Sequence, residues 1–149
     1  MGTLIAIARR VKSHAPMEEL QSVQISPDTG LDGDFRGRAE GRNVSVLSRE
    51  GWEAACAHLG KDLPWTFRRA NLLVSGVDLK ETAGQRLEVG GVLLEITGEC
   101  DPCGRMEAQE EGLRAALVPD WRGGVVCTVV RGGGVAVGNP VCLTNGEGS

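Results

Sequence analysis

The chain has 149 residues, enough for one domain that hides roughly 70% of the surface its unfolded form exposes, so neither a metal nor a disulfide is required to hold a core. A hydrophobic share of 41% and a charged share of 24% describe an ordinary globular mix, while 22 Gly, two Phe and no Tyr favour turns and short strands over long helices. A net charge of −4, with no basic run beyond Arg9-Arg10 and Arg68-Arg69, argues against nucleic acid as a partner, and no apolar run approaches the ~20 residues of a membrane span.

The opening MGTLIAIARRVKSH places its arginines after the apolar residues, the reverse of a secretory signal, and Ala6 stands where a myristoylation pattern asks for Ser or Thr. Five cysteines are an odd number. The expectation is a cytoplasmic chain with reduced thiols rather than a disulfide framework.

In chain order, TLIAIARRV (3–11) is β-like, and in LQSVQIS (20–26) Val23 and Ile25 alternate with polar residues as in a strand with one buried face. GLDGDFRGR (30–38) is a loop whose glycines supply positive φ and whose aspartates bond to backbone. NVSVLS (43–48) is a strand. Ser48 then caps a helix over 49–59, with Trp52, Cys56 and Leu59 on one face and Gly60 at the left-handed C-terminal position. Pro64 breaks the chain, FRRANLLVSG (67–76) reads as a strand, QRLEVGG as a short strand and turn, and VLLEITG (92–98) as a strand. A second helix is expected from Pro102 to Leu117, ended by Pro119, and 125–143 forms two strands joined through Gly132-Gly133-Gly134. The tail 144–149 is expected to fray. Seven or eight strands without regular helix alternation predict a single domain of mainly β class. Its architecture is a small closed or partly closed, mostly antiparallel barrel with about two peripheral α-helices.

GECDPCGR (98–105) carries the chemistry. A bare C-x-x-C fits a disulfide, half a zinc site, a redox pair or a sulfur nucleophile. Zinc wants four ligands, but no second C-x-x-C exists and His14 and His58 stand alone. A thioredoxin-type pair wants a surrounding βαβ pattern, which this reading does not find. Two incidental loop thiols are the plain alternative. With Asp101 as N-cap and Pro102 first in the helix, Cys103 lies at the positive helix end, where amide N–H groups favour a thiolate against the opposing Glu99 and Asp101. Cys103 is thus the candidate reactive sulfur and Cys100 a candidate resolving thiol. Cys56, Cys127 and Cys142 read as packed hydrophobes. In Arg68-Arg69-Ala70-Asn71, strand alternation would put Arg69 and Asn71 on one face and Arg68 on the other. That grouping suits a phosphate or heterocycle, or else a solvated strand end.

These segments in order, from GLDGDFRGR through NVSVLSREGWEAACAHLG and FRRANLLVSGVDL to GECDPCGRM and VVRGGGVAVGNPVCL, resemble the MOSC domain family, named for the C-terminal domain of molybdenum cofactor sulfurase; the resemblance covers 20–143. It implies a β barrel-like fold and a function in molybdenum-cofactor or sulfur handling through Cys103. That residue would be a persulfide carrier loaded by a pyridoxal-phosphate cysteine desulfurase, or a molybdenum-ligating thiolate in a reductase of N-hydroxylated compounds. Arg69, Asn71 and Arg68 would contact the pterin cofactor or its phosphate, and a molybdoenzyme or metal–sulfur acceptor would take the sulfur. The larger relatives' N-terminal barrel and desulfurase domains are not seen in this sequence, and pyridoxal phosphate is not expected on this chain. A non-catalytic module for a phosphate or pterin ligand and a thiol redox protein are the alternatives.

Overall fold

The computed structural model describes residues 2–12, 15–35, 43–100 and 104–144. Eleven strand segments occur in this order: β1 (Gly2–Arg9), β2 (Glu18–Leu20), β3 (Ser22–Ser26), β4 (Gly30–Leu31), β5 (Val44–Ser48), β6 (Leu72–Ser75), β7 (Arg86–Val89), β8 (Val92–Glu99), β9 (Val125–Arg131), β10 (Gly133–Ala136) and β11 (Pro140–Thr144). Helix α1 (Arg49–Leu59) follows β5, while α2 (Gly104–Gln109) and α3 (Leu113–Leu117) lie between β8 and β9. Two short 3₁₀ turns cover Trp65–Arg68 and Pro119–Trp121. Among the described residues no helix is long and apolar enough to cross a membrane.

The sheet runs β11-β7-β8-β9-β5-β6-β1, and β1 pairs back onto β11 through Gly2↔Val141 and Thr3↔Pro140, closing a seven-stranded barrel; β2 adds beyond β1. Pairing is antiparallel except for β5 with β6. A parallel pair needs a crossover, and α1 supplies it, giving one βαβ unit that the sequence reading did not find. The two cysteines of the C-x-x-C lie outside that unit. A smaller sheet, β10-β3-β4, packs its Val23, Ile25, Leu31 and Val135 into the barrel core.

Alternation sorts the side chains. On β5, Val44 and Val46 enter the barrel while Leu47 faces outward; on β6, Leu72 and Val74 enter and Leu73 faces outward. The outward pair is covered by Trp52, Ala55 and Cys56 of α1, Met106 of α2 and Leu113, Ala116 and Leu117 of α3, forming a second core. Helix α1 forms where the sequence places it. The Ser48 hydroxyl accepts from Gly51 N at 3.2 Å, and Gly60 turns left-handed at φ 68°.

Four expectations need correction. The stretch 125–143, expected as two strands joined through Gly132-Gly133-Gly134, forms three, β9, β10 and β11, because Gly133 and Gly134 pair with Ile25 and Gln24 of β3. The strand expected over 20–26 is divided, Leu20 ending β2 on the barrel and Ser22–Ser26 forming β3 in the smaller sheet. The helix expected over 102–117 is broken, because Gly112 adopts φ 85° and the Glu107 carboxylate turns back to accept from the backbone N–H of Gly112 at 2.9 Å. The strand expected over 67–76 is confined to Leu72–Ser75, because Pro64 leads into the 3₁₀ turn and Arg69 takes a left-handed conformation at φ 63°.

Ser48→Ala removes one capping bond from α1 and is expected to lower stability by about 1 kcal/mol, whereas Ser48→Asp retains most of it. Denaturant unfolding of the two variants beside the parent chain measures the difference.

Candidate functional site

Strand β8 ends at Glu99, and Cys100 continues along the loop before β9, its backbone N–H donating to Gly124 O at 2.8 Å. Arg68, at the end of the 3₁₀ turn, inserts its side chain between these two segments. Its Nε donates to Gly123 O at 2.8 Å, and its Nη2 donates to Cys100 O at 2.7 Å and lies 2.9 Å from Cys100 Sγ. Only 6% of Arg68 is exposed, and no carboxylate pairs with it among the described residues. Cys100 as a residue is half-buried.

The close approach depends on two glycines. A Cβ on Gly123 would sit 2.8 Å from Cys100 O and 3.3 Å from Arg68 Nη2. Gly124 has φ 89°, and a Cβ there would lie 2.3 Å from Val46 O. The dipeptide lets the loop lie flat on β5 and on the guanidinium.

Arg68 is therefore an internal bridge rather than a residue presented to a ligand. Arg69, reversed by its left-handed φ, extends the other way and its Nη2 donates to Ala15 O. It lines a cleft of about 300 Å³ with Pro16, Met17, Thr66, Phe67 and Gln109. In that wall the Gln109 Oε1 is buried without a hydrogen-bond partner. Asn71 is committed to the fold. Its Oδ1 accepts from Ser45 N at 3.0 Å and from Ser45 Oγ at 3.3 Å, and its Nδ2 donates to Ala8 O at 3.2 Å. Arg69 and Asn71 do not share a strand face, since the chain there is a turn. Arg68 braces the 3₁₀ turn against the cysteine loop and Asn71 braces it against β5, while the Arg69 side chain leaves that junction for the cleft.

Cys103 lies outside the described residues, as do Asp101 and Pro102. Helix α2 begins at Gly104 and spans six residues, shorter than the helix expected to polarise that sulfur. The fixed positive charge found beside the loop is the Arg68 guanidinium. Of the other thiols, Cys56 packs on α1, and Cys127 is sealed in the barrel; Cys142, expected to be packed, is only half-buried. Burial pushes the Cys127 thiol far above its usual range, with a smaller electrostatic contribution from Cys100. Among the described residues no group of three His, Cys, Asp or Glu could hold a metal ion; His58 is exposed and His14 lies outside them.

Of the loop expected over 30–38, Gly30–Leu31 instead forms β4, 32–35 turn as expected, and 36–38 lie outside the described residues. Gly30 and Gly33 have positive φ, and Asp34 Oδ1 accepts from Arg10 N at 3.1 Å. Gly123, Gly124 and Gln109 were not singled out from sequence. The Gly-Gly pair ahead of the apolar run VVCTVV was the available signal for the first two; Gln109 carried none.

A family model of the MOSC domain matches residues 32–142. The fold is similar to that of the YuaD protein from Bacillus subtilis, with a TM-score of 0.81 at 21% identity over 99% of this chain and 98% of that one. It is also similar to YiiM from Geobacillus stearothermophilus (TM-score 0.78, 14% identity, 97% and 76% covered) and YiiM from Escherichia coli (0.72, 15%, 99% and 72%). A search of curated proteins returns no match.

Asn71→Ala leaves the Ser45 and Ala8 groups unpaired in a buried setting and is expected to cost about 2–4 kcal/mol of stability. Gly124→Ala is expected to cost at least about 1–3 kcal/mol through its positive φ alone, with the Val46 O contact adding to it. Thermal and denaturant unfolding checks both.

Proposed function

Since the chain belongs to the MOSC domain family, which is associated with molybdenum-cofactor binding and sulfur handling, we propose that it is a sulfur-handling protein whose chemistry runs on the cysteine loop after β8. What supports this most is the Arg68 bridge, which fixes the backbone entering Cys100–Cys103 and sets a guanidinium against sulfur. Thiol exchange wants a reachable sulfur with thiolate character, and a neighbouring guanidinium favours both the thiolate and an anionic persulfide.

In this reading Cys103, the position matching the family's reactive cysteine, receives a sulfane sulfur from a persulfide on a cysteine desulfurase. The donor's S–S bond breaks as the new one forms, and the thiol proton passes to the departing donor thiolate. The same exchange in reverse passes the sulfane sulfur to a cysteine thiol of the acceptor, a molybdoenzyme or a metal–sulfur protein, whose thiol proton returns to Cys103. The protein is then a sulfur transferase, and pyridoxal phosphate belongs to the donor.

A second reading is favoured by the cleft at Arg69. Arg69 and Gln109 both line it, and a guanidinium with a carboxamide suits a ligand bearing both acceptors and donors, as the pterin of the molybdenum cofactor does. Asn71 does not fit that use, because its amide is spent on Ser45 and Ala8, and Arg68 is turned to the cysteine loop instead of the cleft. Arg69 and Gln109 would hold the pterin, Cys103 would bind the metal as a soft thiolate, and the bound cofactor would supply two-electron redox chemistry toward N-hydroxylated compounds.

Incubation with a cysteine desulfurase and cysteine is expected to add one sulfur to the peptide carrying Cys100 and Cys103, seen by mass spectrometry and absent from the double Ser variant. Metal and pterin analysis of the same protein, made in a host that synthesises the cofactor, separates the readings. Bound molybdenum and pterin with no sulfur adduct would replace the sulfur-carrier reading with the cofactor one.

A further inference from the structure

The Arg68 guanidinium is more than nine-tenths buried, yet no carboxylate faces it among the described residues. A buried cation left without an anion is costly, and structures normally pair such groups. Two carbonyls, of Gly123 and Cys100, satisfy N–H groups but carry no full charge. The remaining neighbour is the Cys100 sulfur at 2.9 Å from Nη2. Nη1 makes no hydrogen bond among the described residues and is not one of the buried atoms left without a partner, so it is open to solvent. A staple between two loops would be served by the carbonyl bonds alone; the contact with sulfur is unexplained by that role.

We propose that Cys100 is itself a sulfur-accepting atom, with Arg68 as the positioning residue that orients its Sγ and neutralises the negative charge of the persulfide it carries. The inference rests on the sulfur-handling reading and adds a second carrier to it. The step is a sulfane transfer from a persulfide donor, either a protein persulfide or a small-molecule one. Cys100 Sγ attacks the terminal sulfur, the donor S–S bond breaks, and the new S–S bond forms on Cys100. The thiol proton of Cys100 goes to the donor's leaving thiolate, so no net oxidation or reduction occurs. The free N–H of Arg68 is then available to the added sulfur. Gly123 admits the arrangement, because any side chain there would meet both the Cys100 carbonyl and the guanidinium.

The test is peptide-level persulfide mapping on the full chain after exposure to glutathione persulfide, with Cys100→Ser, Cys103→Ser and Arg68→Gln and Arg68→Lys in the Cys103→Ser background. In Cys103→Ser the added sulfur is expected on Cys100. Arg68→Gln is expected to slow both that loading and iodoacetamide alkylation of Cys100 by about tenfold, while Arg68→Lys, which keeps the charge but loses the fork, retains a measurable part of each. A purely structural role would leave the Lys and Gln variants alike. Sulfur found only on Cys103, and unchanged in Cys100→Ser, overturns this inference and leaves the proposed function standing. Sulfur on neither cysteine of the parent chain overturns both. Should an Arg68 variant fail to fold, the Cys103→Ser map decides by itself.

Discussion

A single buried guanidinium holds the cysteine loop to the barrel. Arg68 reaches from the 3₁₀ turn after α1 to the carbonyls of Gly123 and Cys100, tying three segments far apart in sequence. Hydrogen bonds from a charged donor are stronger than neutral ones, and burial strengthens them further. The geometry imposes its own demands nearby. Residues 123 and 124 must lack side chains, and the chain must reverse at Arg69 so that the next guanidinium leaves the junction. Two consecutive arginines thus have separate destinations, one the interior and the other the cleft wall.

The barrel provides the frame. Its interior is filled by the inward-facing Val, Leu and Ile residues of every strand, and the helices lie over the outward Leu47 and Leu73. Asn71 welds the seam where the parallel pair β5–β6 begins, its side chain doing for Ser45 what a strand neighbour would do by backbone. Similarity to solved structures at 14–21% identity is what such a frame allows, since closure and alternation constrain residue class more than residue identity.

Much of this was legible before any coordinates. Alternating valines and isoleucines, Ser48 and Gly60 around α1, and the glycine-rich turns all rest on local rules, and local rules hold where tertiary contacts agree with them. The barrel followed from seven or eight short strands without regular helix alternation, and the ordered motifs carried the family resemblance. The failures lie where a tertiary partner outvoted the local pattern. FRRAN has the residue types of a strand end, but Arg68 and Asn71 are claimed by carbonyls more than thirty residues away or on another strand. The helix over 102–117 has a continuous apolar face, yet Gly112 and the returning Glu107 carboxylate divide it. The left-handed turn at Arg69 has no sequence signature, because arginine rarely adopts it and does so here within a web of long-range bonds.

The closing seam of the barrel joins residues 2 and 3 to residues 140 and 141, while β8 and β9 are separated by two helices before they meet. Beside the local β7–β8 hairpin, most pairings of the barrel therefore link distant parts of the polypeptide, which places the chain among topologies that reach the native state slowly. Until the last strand docks, β7 and the first residues of β1 present open amide and carbonyl groups to the surrounding solvent. The period before that docking is when this protein is most exposed to edge-to-edge association with its own kind.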